Sequence, residues 1–141
     1  MKLIVVGKNR EYTSQIAHFT SRIRRFIPFD IVMVNDSTKE KEAGAILKAA
    51  GSAYLVALDE HGKMTTSVEF SEWLANAQLE HKEIVFCIGG PEGLGKSVLS
   101  RADKILSLSM MTLPHELAEL VFVEQLYRAL AIKKGLPYHR E

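Results

Sequence analysis

The chain has one cysteine, four prolines and almost no surplus of either charge. A lone Cys87 excludes an intrachain disulfide and a cysteine-based zinc site. It lies in the apolar run EIVFCIG, where a buried, inert thiol is expected. Lys and Arg number 18 against 17 Asp and Glu, for a formal net charge of +1. That balance excludes a global basic field, so any nucleic-acid contact requires a local patch or an oligomer that concentrates one. The opening MKLIVVGKNR has too short an apolar stretch for a secretory signal or a membrane span, and it reads as a first strand. A soluble, cytoplasmic protein without membrane contact is expected. There is no internal repeat, linker or low-complexity segment, and 141 residues suit one domain, 1–141.

What is present is an alternation of strand and helix signals. Leu3 to Gly7 is a short apolar run ending in glycine. Tyr12, Ile16, Phe19, Ile23 and Phe26 recur at helical spacing, and Pro28 ends that pattern. Phe29 to Asp36 is β-branched and reads as a second strand. Ser37 to Glu40 has the form of a capping box and predicts a helix to about Ala50, closed by Gly51. A third strand with a turn after it spans 53–62, and a second capping box, Thr66 to Glu69, opens a third helix. Glu83 to Gly90 is a fourth strand. A short helix near Ser97 to Arg101, a fifth apolar run (104–109) and a long helix from His115 to Lys133 follow. Near-continuous apolar strands between helices predict an α/β fold with a mainly parallel sheet, buried on both faces and flanked by helices. Ligands in such sheets sit at the carboxyl ends of strands, which selects the loops after Leu58, Ile88 and Leu108. The last helix is apolar nearly all round, which predicts burial on two sides, the second by a subunit interface or by ordinary core.

One motif competes with this reading. GPEGLGKS, Gly90 to Ser97, matches the phosphate-cradling pattern G-x-x-x-x-G-K-[ST]. Such a loop needs an acidic partner for magnesium at the end of another strand. The run ILSLSMMT after the motif contains no acid, and too little sheet follows to build a nucleotide domain. A P-loop phosphotransferase is therefore the alternative rather than the first reading. The three strand-end loops instead offer glycine, hydroxyl and apolar groups, which suit an adenosyl cofactor better than a triphosphate. His115 follows Pro114 at a helix start, as a base or as a capping side chain. Arg22, Arg24 and Arg25 on the first helix, with Lys133 and Lys134, form either solvated faces or a phosphate-binding patch.

Four motifs occur in a specific order: IGGPEGL (88–94), SLSMMTLPH (107–115), EQLYRA (124–129) and PYHRE (137–141). Together, and over the whole chain, they resemble the ribosomal RNA large subunit methyltransferase H (RlmH) family of the SPOUT, or α/β-knot, superfamily. The resemblance implies a homodimer with a C-terminal trefoil knot and S-adenosylmethionine as methyl donor. It implies a pseudouridine of large-subunit rRNA, methylated at N3 in the assembled ribosome, as substrate. Carried over by position, it implies a cofactor site at Leu58, Gly89, Leu108, Ser109, Met110, Met111, Thr112 and Leu113. It also makes His139 and Arg140 the candidates for handling the imide proton, with Tyr138 and His115 in support. His139 as proton acceptor is the expectation there. A non-catalytic ribosome-binding module on the same fold is the other alternative.

Overall fold

The computed structural model describes residues 1–140. Among them, five strands form one parallel sheet: β1 (Lys2–Val6), β2 (Asp30–Val34), β3 (Tyr54–Met64), β4 (Ile84–Ile88) and β5 (Lys104–Ser107). Their order is β2-β1-β4-β3-β5. The helices between and after them are α1 (Thr13–Ile23), α2 (Lys39–Ala50), α3 (Ser67–Glu80), α4 (Lys96–Arg101) and α5 (His115–Lys133).

Two-residue alternation divides the core. Leu3 and Val5 of β1, Val56 and Leu58 of β3, and Ile84, Phe86 and Ile88 of β4 face α1, α3 and α5. Ile4 and Val6, Leu55 and Ala57, and Val85 and Cys87 face α2 and α4. The three central strands are thus buried on both faces, which is why they read as unbroken apolar runs. Burial pushes the Cys87 thiol up to about 12, so it stays protonated and inert.

Local chemistry sets the ends of the elements. Thr66 and Glu69 form the reciprocal capping box of α3 as expected. The box predicted at Ser37–Glu40 is displaced. Thr38 is the N-cap of α2, and the position that would need the acid holds Lys41. Glu42 instead reaches back to accept the Ser37 N–H at 2.8 Å. α1 stops at Ile23, short of Phe26, because a tight turn follows it. Arg24 and Arg25 consequently leave the helix, and Arg24 donates to the Phe29 carbonyl and pairs with Asp30. β2 is an edge strand with exposed Asp30 and Met33, so the burial expected of every strand does not extend to it.

α5 lies on the sheet between α1 and α3. Those neighbours bury Phe122, Val123, Leu126, Tyr127 and Ala129 to Ala131, so core packing accounts for most of its apolar circumference. Leu117, Leu120 and Val121 remain half-buried.

β3 departs most from the sequence reading. It continues past Gly62, and both Leu58 and Lys63 pair with Leu106, leaving residues 59–62 bulged out of the ladder. The bulge closes where Gly62 meets the β5 backbone. A Cβ on Gly62 would stand 2.8 Å from the carbonyl carbon and oxygen of Ile105. Gly62→Ala is expected to cost about 1–3 kcal/mol, the usual range for forced overpacking, read as a lower urea midpoint with an unchanged slope.

Candidate active site

The glycine turn after β4 is built by backbone contact. Gly93 donates its N–H to the Gly90 carbonyl at 2.9 Å, with Pro91 at the second position and Gly93 at φ +82°. This folds Gly93 back on Gly89 so closely that a Cβ on Gly89 would lie 2.4 Å from the Gly93 carbonyl carbon. The turn is thus closed on itself. Lys96 and Ser97, the residues that gave the segment its P-loop form, are exposed at the start of the six-residue α4. They do not line the cavity beside the turn.

That cavity, about 840 Å³, lies at the carboxyl ends of β3, β4 and β5. Its volume is that of a site for a cofactor-sized molecule. Leu58, Ile88, Leu94, Leu108 and Leu113 give it apolar walls, and Gly89 to Gly93 present backbone. At its rim stand three carboxylates, Asp59, Glu60 and Glu92, against one lysine, Lys39, with His61 and His115 beside them. Such a rim repels a triphosphate and attracts a cation. Among the described residues no group of three or more His, Cys, Asp or Glu could hold a metal ion.

The β3 bulge supplies one lip. Asp59 Oδ1 accepts the His61 backbone N–H at 2.8 Å and lies 3.1 Å from its Nδ1. Thr112 Oγ1 donates to Glu60 Oε2 at 2.6 Å, and Ser107 Oγ to the Glu60 carbonyl at 3.2 Å. These bonds tie the bulge to the loop 108–114. Ser109 Oγ accepts the Met111 N–H at 3.0 Å, turning that loop and leaving Met110 and Met111 exposed.

The start of α5, which carries His115 into the rim, is anchored from the β1–α1 loop. Asn9 Nδ2 donates to the Glu116 carbonyl at 3.0 Å and to Glu119 Oε1 at 3.2 Å. The Arg10 N–H donates to Glu116 Oε1 at 2.6 Å. Burial raises the Glu119 carboxyl above its ordinary value; the Asn9 bond opposes that shift and nearby Glu116 adds to it.

Of the residues expected at the cofactor site, Leu58, Gly89, Leu108, Ser109, Met111, Thr112 and Leu113 line this cavity together, as does His115. Met110 does not line it, and neither do Tyr138, His139 or Arg140. The tail packs elsewhere. Tyr138 meets Tyr127 edge-to-face at 4.7 Å, and Tyr127 lies about 18 Å along α5 from His115 at the helical rise of about 1.5 Å per residue. Glu141, the end of the PYHRE motif, lies outside the described residues. The sequence reading did not assign Asn9, Glu60 or Glu92. It quoted Glu124 and Arg128 within EQLYRA, but their contact to the tail had no signal beyond their one-turn spacing.

Residues 1–139 match the family model described as "Predicted SPOUT methyltransferase". The ribosomal RNA large subunit methyltransferase H of Deinococcus radiodurans is 45% identical over 143 residues, covering 99% of this chain and 98% of its own. The protein of the same name from Prochlorococcus marinus is 42% identical, covering 99% and 95%. This chain belongs to the ribosomal RNA large subunit methyltransferase H family of SPOUT methyltransferases. Its fold is shared beyond that family. A probable methylase family protein from Haemophilus influenzae Rd KW20 superposes with a TM-score of 0.62 at 12% identity, over 99% of this chain and 70% of that one. The SpoU methyltransferase AviRb from Streptomyces viridochromogenes, solved with AdoMet, superposes with a TM-score of 0.50 at 14% identity. Here 96% of this chain covers 58% of AviRb.

The buried Glu119 makes a pH-dependent contribution. A carboxyl whose folded pKa is raised favours the fold below the ordinary carboxylate range, and that contribution is lost as pH rises through the raised value. Glu119→Gln keeps an oxygen for Asn9 and removes the ionisation. Urea unfolding across the acid-to-neutral range is expected to show a flatter pH profile for Glu119→Gln. An unchanged profile would assign the dependence to another group.

Proposed function

We propose that this chain transfers a methyl group from S-adenosylmethionine to N3 of a pseudouridine in large-subunit rRNA. It acts as a cytoplasmic homodimer on the assembled ribosome. A single SPOUT domain over residues 1–141, with the C-terminal trefoil knot, belongs to the same reading. The observation that carries it is the cavity at the ends of β3, β4 and β5, with apolar and glycine walls and a carboxylate rim. These surfaces fit an adenosyl group and a sulfonium, and they set a single lysine against three carboxylates, a poor match for a triphosphate.

Leu58, Gly89 and the stretch Leu108 to Leu113 would hold the cofactor. Bound there, it supplies an electrophilic methyl group. The protein's task is then alignment of the acceptor and management of the imide charge. His115 stands at the cavity's edge, whereas Tyr138 and His139 pack against Tyr127 and Arg128, far along α5 from it, and Arg140 does not line the cavity. The tail therefore acts at the cavity of a second copy, and the half-buried Leu117, Leu120 and Val121 offer that copy an apolar contact. A near-neutral protein gains little from phosphate attraction alone, so it reads the shape of the ribosome and is weakly active on bare rRNA.

Titration calorimetry separates the cofactor classes: S-adenosylmethionine is expected to bind, and ATP with magnesium is not. Methyl transfer to ribosomes lacking the modification is expected to exceed transfer to naked rRNA; equal rates would refute the ribosome-shape reading. A mixture of Leu113→Arg (cavity) and Arg140→Ala (tail) subunits tests the shared site. Mixed dimers should regain activity that neither variant has alone, and no recovery would confine cavity and tail to one subunit.

A further inference from the structure

Elsewhere in the fold, arginines offset carboxylates: Arg24 pairs with Asp30, Arg101 with Asp103 and Arg128 with Glu124. The large cavity is different. Asp59 and Glu60 stand on its β3 lip and Glu92 on its glycine turn, so carboxylates flank it from two walls. Among the described residues, none of the three forms a salt bridge with a lysine or arginine. Lys39 brings the one lysine charge to the lining, which leaves a formal negative surplus of two with the histidines neutral.

The fold holds these groups in place. Asp59 follows Leu58, which pairs with Ile88, and its side chain is only 18% exposed. Its Oδ1 accepts the His61 N–H, whereas Oδ2 meets no hydrogen-bond donor among the described residues. Glu92 belongs to the turn closed by Gly93 on the Gly90 carbonyl, and no side chain or N–H among the described residues binds its carboxylate. Glu60 is already committed to Thr112. Like charges gathered around one cavity repel one another, at a cost to the fold. A bound cation relieves that repulsion. Apolar walls at Leu58, Ile88 and Leu108 limit the water that would screen the attraction.

We propose that Asp59 and Glu92 are specificity-determining residues that make this cavity select a positively charged methyl donor over the neutral thioether left after transfer. This rests on the methyl-transfer reading above. In that reaction the sulfur–methyl bond breaks, the N3–methyl bond forms, and the imide proton leaves to solvent water. The electron pair of the broken bond stays on sulfur, which loses its positive charge. The ammonium and carboxylate of the methionine part cancel in donor and product alike, so the sulfonium is the one charge that differs. The attraction of the carboxylates is therefore present before transfer and absent after it, which favours exchange of product for fresh donor.

The test is titration calorimetry on the full chain with S-adenosylmethionine, S-adenosylhomocysteine and sinefungin. Sinefungin carries a protonated amine near the sulfonium position and no transferable methyl group. The unsubstituted protein is expected to bind the two charged ligands about tenfold or more tightly than S-adenosylhomocysteine, and added salt should narrow that gap. Asp59→Asn keeps an oxygen for the His61 N–H and Glu92 is exposed, so the double variant Asp59→Asn/Glu92→Gln should keep its urea midpoint. It is expected to bind the charged ligands about tenfold more weakly and S-adenosylhomocysteine within about twofold of the original. Should that variant lose stability, Glu92→Gln alone carries the comparison, with a loss of about threefold confined to the charged ligands. Equal affinity for S-adenosylmethionine and S-adenosylhomocysteine in the unsubstituted protein would overturn the proposal. So would an equal loss for all three ligands, because the carboxylates would then read the ribose or ammonium that all three share. Sinefungin behaving like S-adenosylhomocysteine would assign the selection to the methyl group's shape and overturn it as well. Binding of none of the three would refute the methyl-transfer reading itself, and the proposal with it.

Discussion

The close approach of Gly62 to the backbone of Ile105 is the constraint on which the site depends. β3 can pair twice with β5, at Leu58 and again at Lys63, only if the four residues between leave the ladder and the chain returns flush against its neighbour. A side chain at 62 would block that return. Because it is made, Asp59, Glu60 and His61 stand up as a lip. Glu60 then receives Thr112 and Ser107, and the loop 108–114 is drawn across the ends of three strands. The opposite wall rests on a second backbone contact, Gly89 against Gly93. Two positions without side chains thus shape both sides of the cavity.

α5 connects the parts that matter chemically and also keeps them apart. Its first turn is tied to the β1–α1 loop through Asn9, Glu116 and Glu119, which steadies His115 at the rim. Its later turns carry Glu124, Tyr127 and Arg128, which hold Tyr138 and His139. A helix buried between α1, α3 and the sheet is stiff, so the distance between rim and tail is set by the fold. The P-loop form of GPEGLGKS dissolves for a related reason. Gly90 and Gly93 are consumed in a turn closed by its own backbone, and its lysine and serine stand exposed at the start of a short helix.

Much of this was legible in the residues. The unbroken apolar runs at Leu3 to Val6, Leu55 to Leu58 and Ile84 to Ile88 are a local property, and they returned the central strands and their double burial. The Thr66–Glu69 cap and the Gly51 stop were also local, and both hold. The displaced cap at Thr38 shows the limit, because a pattern match cannot tell which of two adjacent hydroxyl residues begins the helix. The edge position of β2 escaped notice, since strand order depends on long-range pairing. So did the extension of β3, whose polar residues 59–62 read as a turn and are a bulge.

The sequence by itself determined the alternation of strand and helix, the parallel sheet, the family, and the three loops that meet at the cavity. Each of these is carried by residues close together in the chain or by motifs in fixed order. Only the tertiary structure decided that Met110 stands outside the cavity lining, that Glu60 and Thr112 close its lip, and that Tyr138 packs far along α5 from the cavity. It also decided that Arg128 meets Nδ1 of His139. These are contacts between segments, and their geometry follows from how rigid elements pack. A list of residue types carries distances only along one element.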